Sequence, residues 1–307
     1  MTARPAVAIG GGTGLPLVLR CLLAAGFDTT AVVTVADDGG SSGHLRRELG
    51  MLPPGDIRNC LVALAEPDSE LASVFQYRFP SGEGLAGHAL GNLIIAALAD
   101  LEGGFAEAVE AAGRLLRVRG RVLPATLADV VLSGRDREGQ LVIGQAKVAE
   151  TEGPIARVCL EPTGVPGYPP ALDAVRNAEV VVIGPGSLFT SIIPNFLVDG
   201  VTEALSESNA RVIYVCNVAN MRGETAGMDA ADHVDALVAH GLAGAIDVVL
   251  VDEPVSGQRA DAVEAGPVQR ARIAAEGISV VAAELADPAN PARHDPEKLR
   301  AALAGVW

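Results

Sequence analysis

Near its start the chain runs from an apolar stretch at 6–10 into Gly10-Gly11-Gly12-Thr13-Gly14, and then into helically spaced leucines and valines over 15–25. A second apolar stretch, 30–36, is rich in Val and Thr and shows no clean alternation. A short continuous apolar run between turn residues marks a strand buried on both faces. Strand, glycine loop (11–14), helix, strand is the βαβ unit of a parallel sheet. The pattern returns after residue 169, with strands predicted at 180–183, 212–215, 248–251 and 278–281 and helices between them, including 229–239 and 268–275. Helical spacing also covers 57–65, 70–79, 90–101 and 105–116.

Between 127 and 160 the pattern changes. Segments 130–133 and 141–148 flank the turn-prone run from Arg135 to Gly139, which predicts a hairpin, extended by 155–160. The expected fold class is α/β, a three-layer sandwich with a mostly parallel Rossmann-like sheet, mixed strand order and a small antiparallel β excursion. We read 1–307 as one α/β nucleotide-binding domain with a β-hairpin subdomain at about 121–162.

Composition narrows the function classes. Of the 307 residues 49% are hydrophobic but only 3% aromatic, so Ala, Val and Leu fill the interior. The formal net charge of −15 disfavours nucleic acid and anionic membranes as partners. A small phosphorylated ligand stays compatible, because helix N-termini and loop amides make a local positive field. The only lysines are Lys147 and Lys298, which leaves arginine to supply most positive charge. No apolar run is long enough to span a bilayer and no signal peptide precedes the first strand, so a cytoplasmic location is expected. Cys21, Cys60, Cys159 and Cys216 are dispersed in apolar segments and read as buried free thiols.

The glycine-rich loops carry the chemistry. Gly11, Gly12, Thr13 and Gly14 let backbone amides approach a phosphate at a helix N-terminus. The spacing fits neither G-x-G-x-x-G nor a P-loop, and a tight turn without ligand is the alternative. Asp37-Asp38-Gly39-Gly40-Ser41-Ser42-Gly43 follows the second strand. Asp37 and Asp38 are candidate ligands of a hydrated Mg2+ ion, or one of them accepts a ribose hydroxyl. Ser41 and Ser42 offer donors to phosphate oxygens. In Pro53-Pro54-Gly55-Asp56-Ile57-Arg58-Asn59, Asp56 is either a helix N-cap or a ligand contact, and Arg58 and Asn59 in the first turn are candidates to face a ligand. In Gly87-His88-Ala89-Leu90-Gly91-Asn92, His88 is read as a helix cap, a polar ligand contact or an acid, and Asn92 as a candidate contact. A further strand-to-glycine loop holds Gly184, Gly186, Ser187 and Thr190, with Asn195 and Asn217 supplying amides suited to a base or sugar.

These motifs, together with 214–218, resemble the gluconeogenesis-factor family (YvcK-like), a branch of the superfamily that includes 2-phospho-L-lactate transferase (CofD-like). The resemblance runs over 6–251 and again over 293–299. It departs from the family at Asn220-Met221-Arg222, where Gln and Pro are usual before Gly-Glu-Thr, and at Met228, where Tyr is usual. The resemblance implies a cytoplasmic bacterial regulator that binds UDP-sugars such as UDP-N-acetylglucosamine, linking gluconeogenic growth to cell shape and wall synthesis. No cofactor beyond Mg2+ is suggested, regulatory protein partners are implied, and a homo-oligomer is expected. Arg293, in Arg293-His294-Asp295, fits the family pattern and is suited to clamp a diphosphate, the alternative being a solvated surface arginine.

Two enzyme readings stand beside this binding protein. One is a magnesium-dependent transferase of phospho-groups, which lacks an evident activated nucleophile in the chain. The other is a dinucleotide-dependent oxidoreductase. It finds an acid near the ribose position in Asp37 but has the wrong glycine spacing and no hydride-transfer set.

Overall fold

The computed structural model describes residues 3–136, 138–151, 155–253 and 261–307. Among these, seven strands form one sheet in which every pair is parallel: β1 Pro5–Gly10, β2 Asp28–Val33, β3 Arg121–Pro124, β7 Val180–Ile183, β8 Arg211–Val215, β9 Val248–Asp252 and β10 Ser279–Ala283. The spatial order is β10-β9-β8-β7-β1-β2-β3. The strands β4 Val131–Asp136, β5 Leu141–Ile143 and β6 Ile155–Glu161 make a separate antiparallel sheet in the order β5-β4-β6.

Apart from the half-exposed edge strand β10, the large sheet is buried on both faces, and its two faces feed two different cores. Along β1, Val7 and Ile9 join one cluster with Val181, Ile183, Leu188, Ile192 and Phe196. Ala6 and Ala8 point the other way, into a cluster with Leu15, Leu19, Leu22, Ile57, Leu61 and Leu64. This period of two is the strand's own geometry. Each of these buried Val, Ile, Leu and Phe side chains contributes about 1.5–3 kcal/mol, and the alanines less. Helices α1 Leu15–Ala24 and α3 Gly55–Leu64 cover the second face, and the small antiparallel sheet packs into the first core through Leu132, Val158 and Leu160. The three-layer α/β sandwich expected from the sequence is therefore present.

Several local expectations change. The second strand ends at Val33, so 34–36 already belong to the loop above the sheet. The glycine-serine run expected as a loop instead becomes helix α2 Gly40–Leu49, entered at Gly39 and closed by the left-handed Gly50. Residues 121–124 join the parallel sheet as its edge strand rather than the antiparallel excursion. The second limb of the hairpin stops at Ile143 and turns into a short helix, Gln145–Ala149. Arg137, within the expected hairpin turn, lies outside the described residues. Cys159 is exposed, because β6 buries alternate residues only; Cys21, Cys60 and Cys216 are buried.

Candidate functional site

Strand order reverses between β1 and β7: chain order runs outward from β1 through β2 to β3 on one side, and from β7 through β10 on the other. In open α/β sheets the crevice outside the carboxyl ends at such a switch point is where ligands bind. Here the two glycine loops leave β1 and β7 side by side. They enclose, with the end of β8 and a C-terminal segment, a cleft of about 330 Å³. Gly12, Thr13, Gly14, Gly186, Ser187, Asn217 and Arg293, all proposed from sequence, line it.

Close backbone contact explains the glycines. A Cβ on Gly14 would collide with the carbonyl oxygen of Pro185, so only glycine lets the two loops touch. Gly12 has φ +67°, the left-handed region that favours glycine. Gly14 then opens α1, with Pro16 in the first turn. The second loop is held by an amide clasp. The Gly186 N–H donates to Asn217 Oδ1 at 3.2 Å, and Asn217 Nδ2 donates to the Gly186 carbonyl at 2.7 Å. Ser187 Oγ lies 2.8 Å from Met221 Sδ.

The rim opposite the glycines comes from the C-terminal segment. Asp252 at the end of β9 accepts from the Leu285 and Ala286 amides, and Ala286 bridges to His294. His294 Nε2 donates to the Cys216 carbonyl at 3.1 Å, and burial pushes its pKa down to about 4, so the ring is neutral near pH 7. That scaffold sets Arg293 on the wall of the cleft, which Arg20 on α1 lines as well.

A second group of the predicted residues gathers beside the cleft, around α2, α3 and α5 Leu90–Glu102. Asp56 Oδ2 accepts from the Gly12 amide at 2.7 Å, so Asp56 is a brace for the first loop and not an N-cap of its own helix. Burial and the neighbouring Asp37 carboxylate push its pKa up to about 6, and burial raises that of Asp37 as well. Ser42 accepts from the Gly55 amide. Ser41 contacts His88 Nδ1 at 3.1 Å and accepts from Asn92 at 3.0 Å. Arg58 donates to Asn92 Oδ1 and to Asn59 Oδ1. Burial lowers the Arg58 pKa to about 10, still charged at neutral pH.

Other predicted residues turn out to support the loops from behind. Gly11 is buried, facing Asp56 and Thr34 rather than the cleft. Gly184, at φ +73°, turns the chain above β7. Thr190 Oγ1 donates to the buried Glu224, whose other oxygen accepts from the Phe189 amide; burial raises the Glu224 pKa. Asn195 Nδ2 donates to the carbonyls of Gly10, Ser191 and Ile192 and is fully buried. Asp38 is spent elsewhere: its two oxygens accept from the Gln145 and Ala146 amides and cap the short helix at 145–149. The adjacent pair Asp37 and Asp38 therefore does not converge on one point. Among the described residues no group of three or more His, Cys, Asp or Glu side chains is placed to hold a metal ion.

Sequence reading missed Leu17, Arg20, Val218, Ala219 and Ala292 on the cleft wall. Arg20 had a signal, lying three residues after Leu17 on the helix that opens at the glycine loop, hence on the same face. No described helix is long and apolar enough to cross a membrane.

Comparison with known proteins gives the same outline. Residues 6–286 match the family model of 2-phospho-L-lactate transferase CofD. The gluconeogenesis factor of Bacillus subtilis is 44% identical over 314 residues, spanning 100% of this chain and 99% of that protein. The gluconeogenesis factor of Halalkalibacterium halodurans is 46% identical over 83% of this chain and 80% of its own length. A crystal structure of a Bacillus halodurans protein, 40% identical, superposes with a TM-score of 0.93 over 99% of this chain and 100% of that one. Fold, loop motifs and full-length similarity agree: the chain belongs to the gluconeogenesis-factor family within the 2-phospho-L-lactate transferase CofD superfamily.

Proposed function

We propose that the switch-point cleft binds a nucleotide-sugar, UDP-N-acetylglucosamine or a similar UDP-sugar, and that the protein acts as a regulator rather than through turnover. The observation that carries this reading is that Arg20 and Arg293 line the same cleft of about 330 Å³ as the two glycine loops, in a chain of net charge −15. A diphosphate suits such a set of partners: loop amides at the start of α1 and guanidinium forks in one cleft. Asn217 stands beside them with its amide turned to the second loop. The relatives' name, gluconeogenesis factor, supports a role in growth on gluconeogenic carbon. The link to cell shape and wall synthesis rests on the family resemblance alone. As a regulator the protein would present different surfaces to protein partners with and without ligand, which requires unequal ligand affinity for two states. Calorimetric titration with UDP-N-acetylglucosamine, UDP and GDP tests the reading. Saturable binding of the UDP-sugar is expected, and the absence of heat and of any thermal shift for every UDP compound would overturn it.

One observation favours a second reading, a magnesium-dependent phospho-group transferase. Asp37 and Asp56 lie close enough beside the Gly12 loop to raise the Asp56 pKa, and a hydrated divalent ion would relieve that repulsion. Mass spectrometry after incubation with UDP-N-acetylglucosamine, magnesium and an acceptor separates the two: transfer of a phospho-group supports the enzyme, intact ligand supports the regulator.

A further inference from the structure

On the far edge of the large sheet, away from the glycine loops, a cavity of about 460 Å³ opens between α6 Phe105–Leu116, the edge strand β3 and Tyr168. It exceeds the switch-point cleft in volume and falls within the range of small-molecule pockets. Its walls are mostly apolar: Leu61, Val109, Gly113, Val122, Leu123 and Pro170. Arg114, Arg117 and Arg121 line it as well, with Glu110 beside them, and Arg119 lies between them in sequence but lines a neighbouring depression. Four exposed arginines in eight residues are out of keeping with a chain of net charge −15.

Ordinary structural needs do not account for this group. Arg114 pairs with Glu110 one turn back on the helix. Arg117 ends α6 at φ 50°, in the left-handed conformation where glycine is the usual residue. A positive charge there does complement the helix C-terminus, but that serves one arginine and not Arg119 or Arg121 beyond it. Among the described residues neither of those two, nor Arg117, has a carboxylate partner.

We propose that this cavity binds a small anionic amphiphile: a hydrocarbon body inside, and a carboxylate or phosphate head held at Arg117 and Arg121. The cavity is concave and mostly apolar, and its three arginines come from the end of α6 and the start of β3, which is the shape and polarity such a molecule requires once Glu110 is taken up by Arg114. An acidic peptide added to the sheet edge is the other occupant the charge allows. The edge disfavours it: β3 is four residues long and ends in Pro124, and short edge strands with proline resist pairing with another chain.

The test is calorimetric titration of the full chain with decanoate and decyl phosphate, each below its micellar concentration, against decanol and decyltrimethylammonium. The two anions separate a carboxylate from a phosphate head. Saturable one-to-one binding of at least one anion is expected, with decanol at least tenfold weaker and the cation not bound. Arg117→Gln with Arg121→Gln, both at exposed positions, should weaken the anion at least tenfold, with the melting temperature of the variant checking that the fold is kept. Ala106→Trp, from a half-buried position on α6, should fill the cavity and abolish binding while the melting temperature holds. Equal binding of all four amphiphiles, no saturable binding of either anion, retention of affinity in the arginine double variant, or binding of an acidic peptide in their place would overturn the proposal.

Discussion

Asp56 does two things that pull against each other. Its carboxylate fixes the Gly12 amide, which wants a strong acceptor, while burial and Asp37 make its charge costly. The consequence for stability has a definite sign. Between pH 3.8 and about 6 the folded protein retains a proton that the unfolded chain has released, so stability falls as pH rises through that window and levels off above it. Asp56→Asn keeps an oxygen for Gly12 and removes the charge. Thermal melts from pH 3.5 to 8 should lose much of that slope, and the melting temperature near pH 7.5 should rise; an unchanged slope would place the charge cost elsewhere. Gly14 makes the matching case for space. Gly14→Ala must drive the loops apart at Pro185, at a cost of about 1–3 kcal/mol, and should weaken UDP-sugar binding more than tenfold by calorimetry.

At the scale of elements, Asp38 shows why some of the site could be read in the sequence and some could not. The β1–loop–α1–β2 unit was legible because continuous apolar runs and glycines are local signals, and the same held for β7 and its loop. The partner of Asp38 is not local: its carboxylate caps a helix more than a hundred residues away, and no pattern around Asp38 announces that. Thr190 and Glu224 form a similar long-range pair. Helix α2 was missed for a different reason. It opens on Gly-Ser-Ser-Gly, poor helix formers, and has Leu45 and Leu49 as its apolar side chains, too few to show a period, so tertiary contact decides its form. The capping role leads to a prediction. Asp38→Ala should lower stability by about 0.5–2 kcal/mol in urea melts without ligand, and proteolysis should then cut first near 145–149. Asp38→Ala should also leave magnesium affinity unaltered, since its oxygens are already taken; a large loss would restore Asp38 as a metal ligand.

For the whole molecule the decisive feature is that the site is assembled from both ends of the chain. The first glycine loop begins at residue 11, whereas Arg293 arrives on a segment that returns from the edge strand β10 past the ends of β9 and β8. That return is well fixed. Asp252 holds Leu285 and Ala286, the Asp287 amide donates to the Arg293 carbonyl, and Asp295 caps the last helix, Pro296–Ala304, with Pro296 in its first turn. Leu299 and Leu303 of that helix are buried in the same core as α1. Arg293 is thus an exposed side chain on an anchored backbone, so removing it should cost little stability and much binding. Arg293→Ala should weaken UDP-N-acetylglucosamine by about 1.5–3 kcal/mol, the scale of a hydrogen bond to a charged group, with the ligand-free melting temperature unchanged. Arg293→Lys should recover only part of that loss, because an ammonium cannot reproduce the two-pronged fork. Calorimetry on both variants, with UDP alongside the UDP-sugar, separates the possibilities. Equal losses for UDP and UDP-sugar place Arg293 on the diphosphate, and a loss confined to the UDP-sugar places it on the sugar. Parent-like affinity in both variants would mean that the cleft closes without its C-terminal wall.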